Sequence, residues 1–275
     1  MKIRDKILDF NNHTCVMGIL NVTPDSFSDG GSYVDVNAAI EHALAMAMEG
    51  ADIIDIGGES TRPGFTPVSA QDEIARVVPV IEGLRKVSDV IISIDTTKAD
   101  VAQAALEAGA DIINDVSGFM CEPDIVKVAQ KYNAVCILMH DGAYFDKTDE
   151  NITVLEYTQK VKDELNDIVE GALNNGIIPK KIIVDPGIGF GKTKRENLIL
   201  LKNLSELGNG YPVLLGCSRK SVIGLSLDLL VTERLEGTIA TSVCGAQSGV
   251  AIVRVHDVKA NYRAIKMFEA IRDVE

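Results

Sequence analysis

Three acidic or amide side chains stand at the ends of short apolar segments: Asp95, Asn114 and Asp185. A carboxylate can accept two parallel hydrogen bonds from an amino-amidine edge, and an amide offers both a donor and an acceptor. This set suits a flat heterocycle that carries adjacent N–H donors. Any one of them could simply mark the end of a strand, but together they predict a binding site.

Basic side chains follow the later apolar segments: Lys220, Arg254 and His256. They suit phosphate oxygens or the acceptor atoms of a ring. Arg254 lies within AIVRVH, and a charged residue inside a buried strand needs a partner. A solvated loop lysine is an equally good interpretation of Lys220. His256 could instead have a capping role beside Asp257, which precedes the last predicted helix.

Two long polar loops follow the first two apolar segments. The stretch MGILNVTPDSFSDGG (17–31) passes from a strand into a polar loop with Phe27 in its middle, and GGESTRPG (57–64) is the second loop. Their length and composition favour lids over a site rather than ordinary surface loops. At the start of the first loop, Asn21 could ligate a hard cation such as Mg²⁺, which prefers oxygen ligands.

The elements that must position these residues alternate along the chain. Apolar segments of strand length occur at 15–20, 52–57, 90–95, 111–115, 134–140, 181–186, 212–216 and 251–256. Helical stretches are predicted at 37–49, 69–87, 98–109, 122–132, 151–175, 194–207, 233–248 and 257–272. Eight such units predict a single-domain α/β protein over 1–275, a (β/α)8 TIM barrel whose site lies where the strands end. A doubly wound open sheet is the alternative, but no G-x-G-x-x-G follows the first strand.

The composition of the chain disfavours some classes of binding partner. The chain has 275 residues and a formal net charge of -13, which disfavours nucleic acid and anionic membrane as partners. The five cysteines are far apart, odd in number and without a CxxC pair, so we expect reduced thiols. The N-terminal stretch MKIRDKILDFNN lacks the apolar region of a secretion signal, which indicates a cytoplasmic protein.

Read in order, the motifs MGILNVTPDSFSDGG, GGESTRPG, INDVSG, DPGIGFGK, SRKS and RVHDV, with Asp95 between the second and third, resemble those of the dihydropteroate synthases. The resemblance covers essentially the whole chain. It implies a (β/α)8 barrel, usually a homodimer, in folate biosynthesis. Such an enzyme is a transferase that joins 4-aminobenzoate to (7,8-dihydropterin-6-yl)methyl diphosphate and releases diphosphate.

The same resemblance implies roles for individual residues. The residues implied to be catalytic are Asp95, Asp185 and Lys220. The pterin diphosphate is bound by Thr61, Asp95, Asn114, Met139, Asp185, Lys220, Arg254, Val255 and His256. The 4-aminobenzoate end, where sulfonamides bind, is formed by Phe27, Arg62, Pro63, Phe190 and Ser218. Asn21 is the Mg²⁺ ligand.

The sequence departs from the family pattern at two places. DGAYFDKTDEN follows His140 where many relatives have a short Gln- or Asn-containing stretch, and Cys217 replaces the usual Thr, Met or Val.

Three alternative functions are a pterin-binding methyltetrahydrofolate methyltransferase, a non-catalytic pterin-binding protein and a Schiff-base aldolase using Lys220. The two lid motifs argue against the methyltransferase, and the full set of charged strand ends argues against the binding protein. No Schiff base is expected on Lys220.

Overall fold

The computed structural model describes residues 1–23, 32–59, 67–149 and 151–274, with only the backbone for 32–35. Its strands are β1 (Lys2–Ile3), β2 (Lys6–Ile7), β3 (Cys15–Asn21), β4 (Ile53–Gly57), β5 (Ile91–Asp95), β6 (Ile112–Asp115), β7 (Val135–Met139), β8 (Ile182–Asp185), β9 (Leu214–Leu215) and β10 (Ile252–Val255). Its helices are α1 (Ser32–Met48), α2 (Ala70–Val87), α3 (Ala99–Ala108), α4 (Ile125–Tyr132), α5 (Val154–Asn174), α6 (Lys194–Lys202), α7 (Leu204–Leu207), α8 (Ser221–Leu227), α9 (Leu235–Gln247) and α10 (Val258–Arg272).

Strands β3 to β10 form one parallel sheet in the order β8-β7-β6-β5-β4-β3-β10-β9. A parallel bridge between Val184 and Val213, with the Val184 N–H donating to the Pro212 carbonyl at 2.9 Å, joins its two outer strands. The sheet therefore closes on itself. The predicted single-domain (β/α)8 barrel is confirmed and the open doubly wound sheet is excluded.

The strands are short runs of Ile, Val and Leu because both of their faces are covered. Successive side chains point to opposite faces, so each strand contributes to two apolar clusters. The cluster inside the barrel includes Met17, Ile53, Ile91, Ile112, Ile137, Ile183, Leu214 and Ile252. A larger cluster fills the space between the strands and the helices. Following the inner face from Ile53 and Ile91 toward the strand ends leads to Asp55 and Asp95, so the barrel changes from an apolar floor to a polar mouth.

The antiparallel hairpin of β1 and β2 was not predicted from the sequence. Ile3 and the following Leu8 join the inner apolar cluster, so the hairpin covers the N-terminal end of the barrel. Two-residue strands show no usable periodicity, which is why the pattern does not reveal them. For the same reason of length, α8 (seven residues) was missed.

Helix ends follow local capping chemistry, but the structure corrects two predictions about where helices end and how they are capped. The predicted helix at 194–207 is two helices, α6 and α7, because Asn203 leaves the helical conformation at φ -117°. Helix α6 begins at a capping box in which Thr193 and Glu196 exchange hydrogen bonds. Asp257 stands at the N-cap of α10, but its side chain makes no capping bond and pairs with Arg219 instead. No helix in these described ranges is long and apolar enough to span a membrane.

Candidate functional site

The residues predicted for a heterocycle stand side by side at the mouth. Asp95 on β5 is the Cα partner of Asn114 on β6, and Met139 on β7 is the partner of Asp185 on β8. All four are buried. Parallel strands in register thus bring together, on four neighbouring strands, side chains that are up to 90 positions apart in sequence. The sequence-based grouping of these four residues is consistent with this arrangement.

Arg254 lies between two buried carboxylates. Its Nε atom donates to Asp55 Oδ2 at 2.6 Å and its Nη2 atom to Asp95 Oδ2 at 2.5 Å. Asn114 Nδ2 donates to the same Asp55 oxygen at 3.1 Å. The strand arginine therefore has the partners that its burial requires. Asp55 in turn accepts from two side chains, Arg254 and Asn114.

Asp95 combines burial with an incomplete set of partners. Burial raises the pKa of Asp95 to about 7; the nearby Asp55, Glu73 and Asp115 carboxylates act in the same direction, and the Arg254 guanidinium opposes them. Its Oδ1 atom has no hydrogen-bond partner among the described residues. A buried carboxylate oxygen of this kind is available to a ligand N–H or to a developing positive charge.

Lys220 and Asp185 bring a second set of opposite charges to the mouth, each acting on the pKa of the other. Lys220 Nζ donates to the Ile188 carbonyl at 2.5 Å and lies 4.4 Å from the centre of the Phe190 ring. Burial lowers the pKa of Lys220 to about 8, against the pull of the Asp185 carboxylate. Burial likewise raises the pKa of Asp185, although Lys220 opposes it and the Gly187 N–H donates to Oδ1 at 2.7 Å.

A glycine leaves room beside this pair. A Cβ atom on Gly216, which follows β9, would lie 3.7 Å from both Asp185 Oδ2 and Lys220 Nζ. A larger side chain there would extend toward the atoms that could bind a ligand. Sequence reasoning did not single out Gly216, and its only signal was its place directly after an apolar segment.

Ser218 and His256 connect the last two strand ends. His256 Nδ1 and Ser218 Oγ are 3.0 Å apart, and the His256 backbone N–H also approaches Ser218 Oγ at 3.2 Å. Ser218 was assigned to the aminobenzoate end and His256 to the diphosphate. Their contact places these two predicted subsites next to each other.

Lys192 is a half-buried lysine of the site region that sequence reasoning missed, although it ends the quoted motif DPGIGFGK. Its Nζ atom donates to the carbonyls of His140, Gly187 and Phe190 at 2.9, 3.0 and 3.1 Å. Burial lowers the pKa of Lys192 to about 7, while Asp185 and Asp141 oppose the shift. Lys192 therefore ties the end of β7 to the loop that carries Phe190.

The segment after His140, which differs from the family pattern, contacts the loop that carries Phe190. The His140 ring stacks on Phe145 with centroids 4.7 Å apart, and its Nε2 lies 2.8 Å from Glu164 on α5. These contacts direct His140 toward α5. The segment also includes a short 3-10 turn over Gly142–Tyr144. The Gly142 N–H donates to the Phe190 carbonyl at 3.3 Å, so this turn packs on the loop after β8.

Some predicted residues are placed only in part. Phe27, Thr61, Arg62 and Pro63 lie outside the described residues. The Val255 side chain belongs to the outer apolar cluster, which leaves only its main chain for a ligand.

Asn21 tests whether the mouth fits a hard cation. It ends β3, is half-buried and is the Cα partner of Gly57, which in turn is the partner of Asp95. Its amide oxygen belongs to the ligand type that Mg²⁺ prefers, and Mg²⁺ commonly takes one or two protein ligands together with phosphate oxygens and waters. The residues present therefore fit this ion.

Comparison with known proteins identifies the family of this chain independently of the site geometry. The family model described as "Pterin binding enzyme" matches residues 17–256. The chain is 50% identical to the dihydropteroate synthase of Clostridium beijerinckii over 98% of this chain and 99% of that protein. It is 49% identical to the dihydropteroate synthase of Bacillus subtilis over 96% of this chain and 90% of that protein.

Solved structures agree. A Clostridium difficile dihydropteroate synthase determined with pteroic acid is similar at a TM-score of 0.89 and 48% identity, covering 96% of this chain and 99% of that one. A Xanthomonas albilineans dihydropteroate synthase with 4-aminobenzoic acid is similar at 0.89 and 41%, covering 96% and 95%. A Yersinia pestis dihydropteroate synthase in complex with a sulfonamide drug is similar at 0.90 and 40%, covering 100% and 99%.

Proposed function

This chain belongs to the pterin binding enzyme family and is a dihydropteroate synthase, a transferase of folate biosynthesis, and from that premise we propose how its site performs the reaction. The substrates are (7,8-dihydropterin-6-yl)methyl diphosphate and 4-aminobenzoate, and the products are 7,8-dihydropteroate and diphosphate. The observation that carries the proposal is the buried row of Asp95, Asn114, Met139 and Asp185, with Arg254 and Lys220 beside it.

The pterin ring fits this row by hydrogen-bond type. Asp185 accepts from the amino-amidine edge, while Asn114 offers an amide and Lys220 donates to ring acceptors. Met139, next to Asp185 in register, packs against the ring face. Asp95 keeps an oxygen that meets no described partner and faces the remaining N–H or the reacting side of the ring.

Bond breaking precedes bond formation in the mechanism that we propose. The methylene C–O bond breaks, its electron pair leaves with the diphosphate, and a cation conjugated with the pterin remains. The carboxylates of Asp95 and Asp185 stabilise this cation by electrostatic attraction in a site that excludes water. The arylamine nitrogen then forms the C–N bond and releases its proton to the departing diphosphate. Lys220 binds a ring acceptor and holds the electron-rich ring in place.

The diphosphate end uses cations of the last two strands. Arg254 and His256, with Thr61, bind the departing diphosphate. A Mg²⁺ ion held by Asn21 would supply further positive charge to the leaving oxygens when bound. The amide oxygen of Asn21 and the diphosphate oxygens are suitable ligands for this ion.

The aminobenzoate end lies toward Phe190 and Ser218. The contact of Ser218 with His256 supports a position next to the diphosphate, as transfer of the methylene carbon requires. Phe27, Arg62 and Pro63 complete this subsite in our proposal. In our proposal the polar loops that follow β3 and β4 exclude water, which would otherwise trap the cation as the alcohol.

We also propose that the enzyme is a cytoplasmic homodimer. Four apolar side chains on α8 and just after it are exposed: Leu225 (62%), Leu227 (53%), Leu230 (72%) and Val231 (51%). An exposed apolar group of this size is typical of an interface between protein chains. The five free cysteines support a reducing compartment.

The function is tested by product formation. The wild-type enzyme with both substrates and Mg²⁺ should incorporate labelled 4-aminobenzoate into 7,8-dihydropteroate. Asp185→Asn should lose most pterin affinity, and Asn21→Ala should need more Mg²⁺ for half-maximal turnover. An absence of product from the wild type would refute the synthase reaction, and an unchanged Mg²⁺ titration would refute the role of Asn21.

A further inference from the structure

Asp55 lies on β4 one layer below the mouth, and its side chain is fully buried. It is the Cα partner of Ser93, whereas Asp95 is the partner of Gly57 at the strand end. The Asp55 Oδ2 atom accepts from Arg254 and from Asn114 at 2.6 and 3.1 Å. We propose that Asp55 is a positioning residue that fixes the side chains of Arg254 and Asn114 for the pterin diphosphate. This inference rests on the proposed function.

The Asn114 amide is oriented by this contact. A carboxylate next to an arginine only accepts hydrogen bonds, so the Asn114 atom that faces it is the amide nitrogen. One N–H of Asn114 is thereby used, and the second N–H and the Oδ1 atom remain for a ligand. The amide then presents one donor and one acceptor in a fixed order. A pterin, in which a ring nitrogen acceptor stands next to N–H donors, can bind only one order of the two.

Asp55 and Asp95, the two carboxylates that bind Arg254, have different roles in this proposal. The guanidinium binds Asp55 through Nε and Asp95 through Nη2. When a ligand engages Asp95, Asp55 still compensates the charge of Arg254 and holds its orientation. A buried arginine left with no carboxylate would be strongly destabilised. Asp55 therefore allows Asp95 to face the substrate while Arg254 stays directed at the diphosphate.

The test uses Asp55→Asn in the full-length enzyme with both substrates and Mg²⁺. We expect the KM for the pterin diphosphate to rise at least about tenfold, the effect of one misplaced charged hydrogen bond. The KM for 4-aminobenzoate should change less than about twofold, because Asp55 bonds to Arg254 and Asn114 and not to Phe190 or Ser218, the two residues of that end that the structure describes. A general loss of stability would instead lower the active fraction and leave both KM values unchanged.

The pH profile gives a second readout. Among the described residues, the charged groups with the largest effect on Asp95 are Arg254, Asp55, Glu73 and Asp115, with Lys220 nearby. Removal of the Asp55 charge removes one repulsion and lets Arg254 pair more closely with Asp95. The acidic limb of kcat/KM should therefore move to lower pH, by roughly one unit.

Asp111→Asn is the matched control. The side chain of Asp111 is only 7% exposed and also pairs with an arginine, Arg85, but Asp111 precedes β6 at the opposite end of the barrel. This variant should lower stability without moving the acidic limb. If Asp55→Asn does not fold, Asp55→Ser, which has room for a water molecule, is measured against the same criteria. Unchanged pterin KM together with an unmoved acidic limb would overturn the role of Asp55. An inactive wild type would overturn both this inference and the proposed function.

Discussion

At the residue scale, the chemistry of the mouth depends on burial acting against charge. Burial raises the pKa of Asp95 to about 7 and lowers that of Lys220 to about 8. Each group titrates close to neutral pH because it lies in a dry site with a charged partner that only partly compensates burial. The carboxylate form of Asp95 exists above its pKa and the ammonium form of Lys220 below its own.

The pH dependence of the free enzyme follows from these two groups. We expect kcat/KM for the pterin diphosphate to rise through pH about 7 and to fall above pH about 8. Lys220→Arg, which stays protonated, should remove the alkaline limb while keeping the acidic one. Initial rates at low pterin diphosphate over pH 6 to about 9.5 measure this. An alkaline limb that persists in Lys220→Arg would show that another group titrates there.

The sequence predicted the strand-end residues but not their partners. Asp95, Asn114 and Asp185 could be found because each ends an apolar run, and parallel strands end at one rim. The pairing of Asp55 with Arg254 joins positions 199 residues apart, and no local pattern encodes such a contact. Lys192 was missed because a lysine in a glycine-rich loop looks solvated until the fold surrounds it with carbonyl groups.

At the element scale, the loop after β8 is shaped by glycines and held by Lys192. Gly187 adopts φ +66°, and a Cβ atom there would lie 1.9 Å from the His140 carbonyl oxygen. That close approach allows Lys192 to reach both His140 and Gly187. The loop in turn carries Phe190, whose ring supports Lys220.

Removal of the Lys192 ammonium group should loosen this loop. Lys192→Met removes the donor of the buried His140 carbonyl, while the Gly187 and Phe190 carbonyls keep the N–H groups of Phe190 and Gly142. We therefore expect a loss of about 2 kcal/mol in the free energy of unfolding. The KM for 4-aminobenzoate should rise as Phe190 shifts. Urea denaturation and steady-state kinetics measure both effects. The control is Lys180→Met at an exposed lysine, and equal behaviour of the two variants would contradict the anchoring role.

The elements themselves were largely predictable. Eight apolar segments became the eight barrel strands because a strand covered on both faces must be apolar throughout. The hairpin of β1 and β2, the split between α6 and α7, and α8 were not predicted, since two- to seven-residue elements carry too little periodicity.

At the scale of the whole molecule, a histidine connects the two ends of the chain. His13 Nδ1 lies 2.7 Å from Glu269 on α10, and its Nε2 lies 3.3 Å from Asp52 before β4. Two carboxylates leave both ring nitrogens as donors, which favours the charged imidazolium. The hydrogen bond to Asp52, with a further one to Glu269, raises the pKa of His13 although burial opposes it.

This raised pKa predicts a pH-dependent contribution to stability. A group whose pKa is higher in the folded state stabilises most below its unfolded value of about 6.5, and its contribution disappears as pH rises through the folded value. His13→Gln should therefore cost about 1 kcal/mol at pH 6 and much less at pH 9. Thermal unfolding of both proteins across this range measures the difference. A difference in stability between the two proteins that grows with rising pH would contradict the charged form of His13.

The proposed dimer surface is tested by introducing charge. Leu225→Glu combined with Leu230→Glu should shift the enzyme to monomer in analytical ultracentrifugation, because a carboxylate cannot be buried without a partner. Leu155→Glu is the control, since Leu155 on α5 is as exposed as Leu230, 72% each, but outside this group. Dissociation by the control alone would place the interface elsewhere.

The central claim is that the site forms a pterin-methylene cation before the arylamine attacks. The most direct test is a single turnover with enzyme in excess over the pterin diphosphate, with Mg²⁺ present and 4-aminobenzoate absent. We expect diphosphate to form on the enzyme and water to convert the pterin to its alcohol. Diphosphate that appears only with 4-aminobenzoate, at a rate proportional to its concentration, would show direct displacement and contradict the cation mechanism.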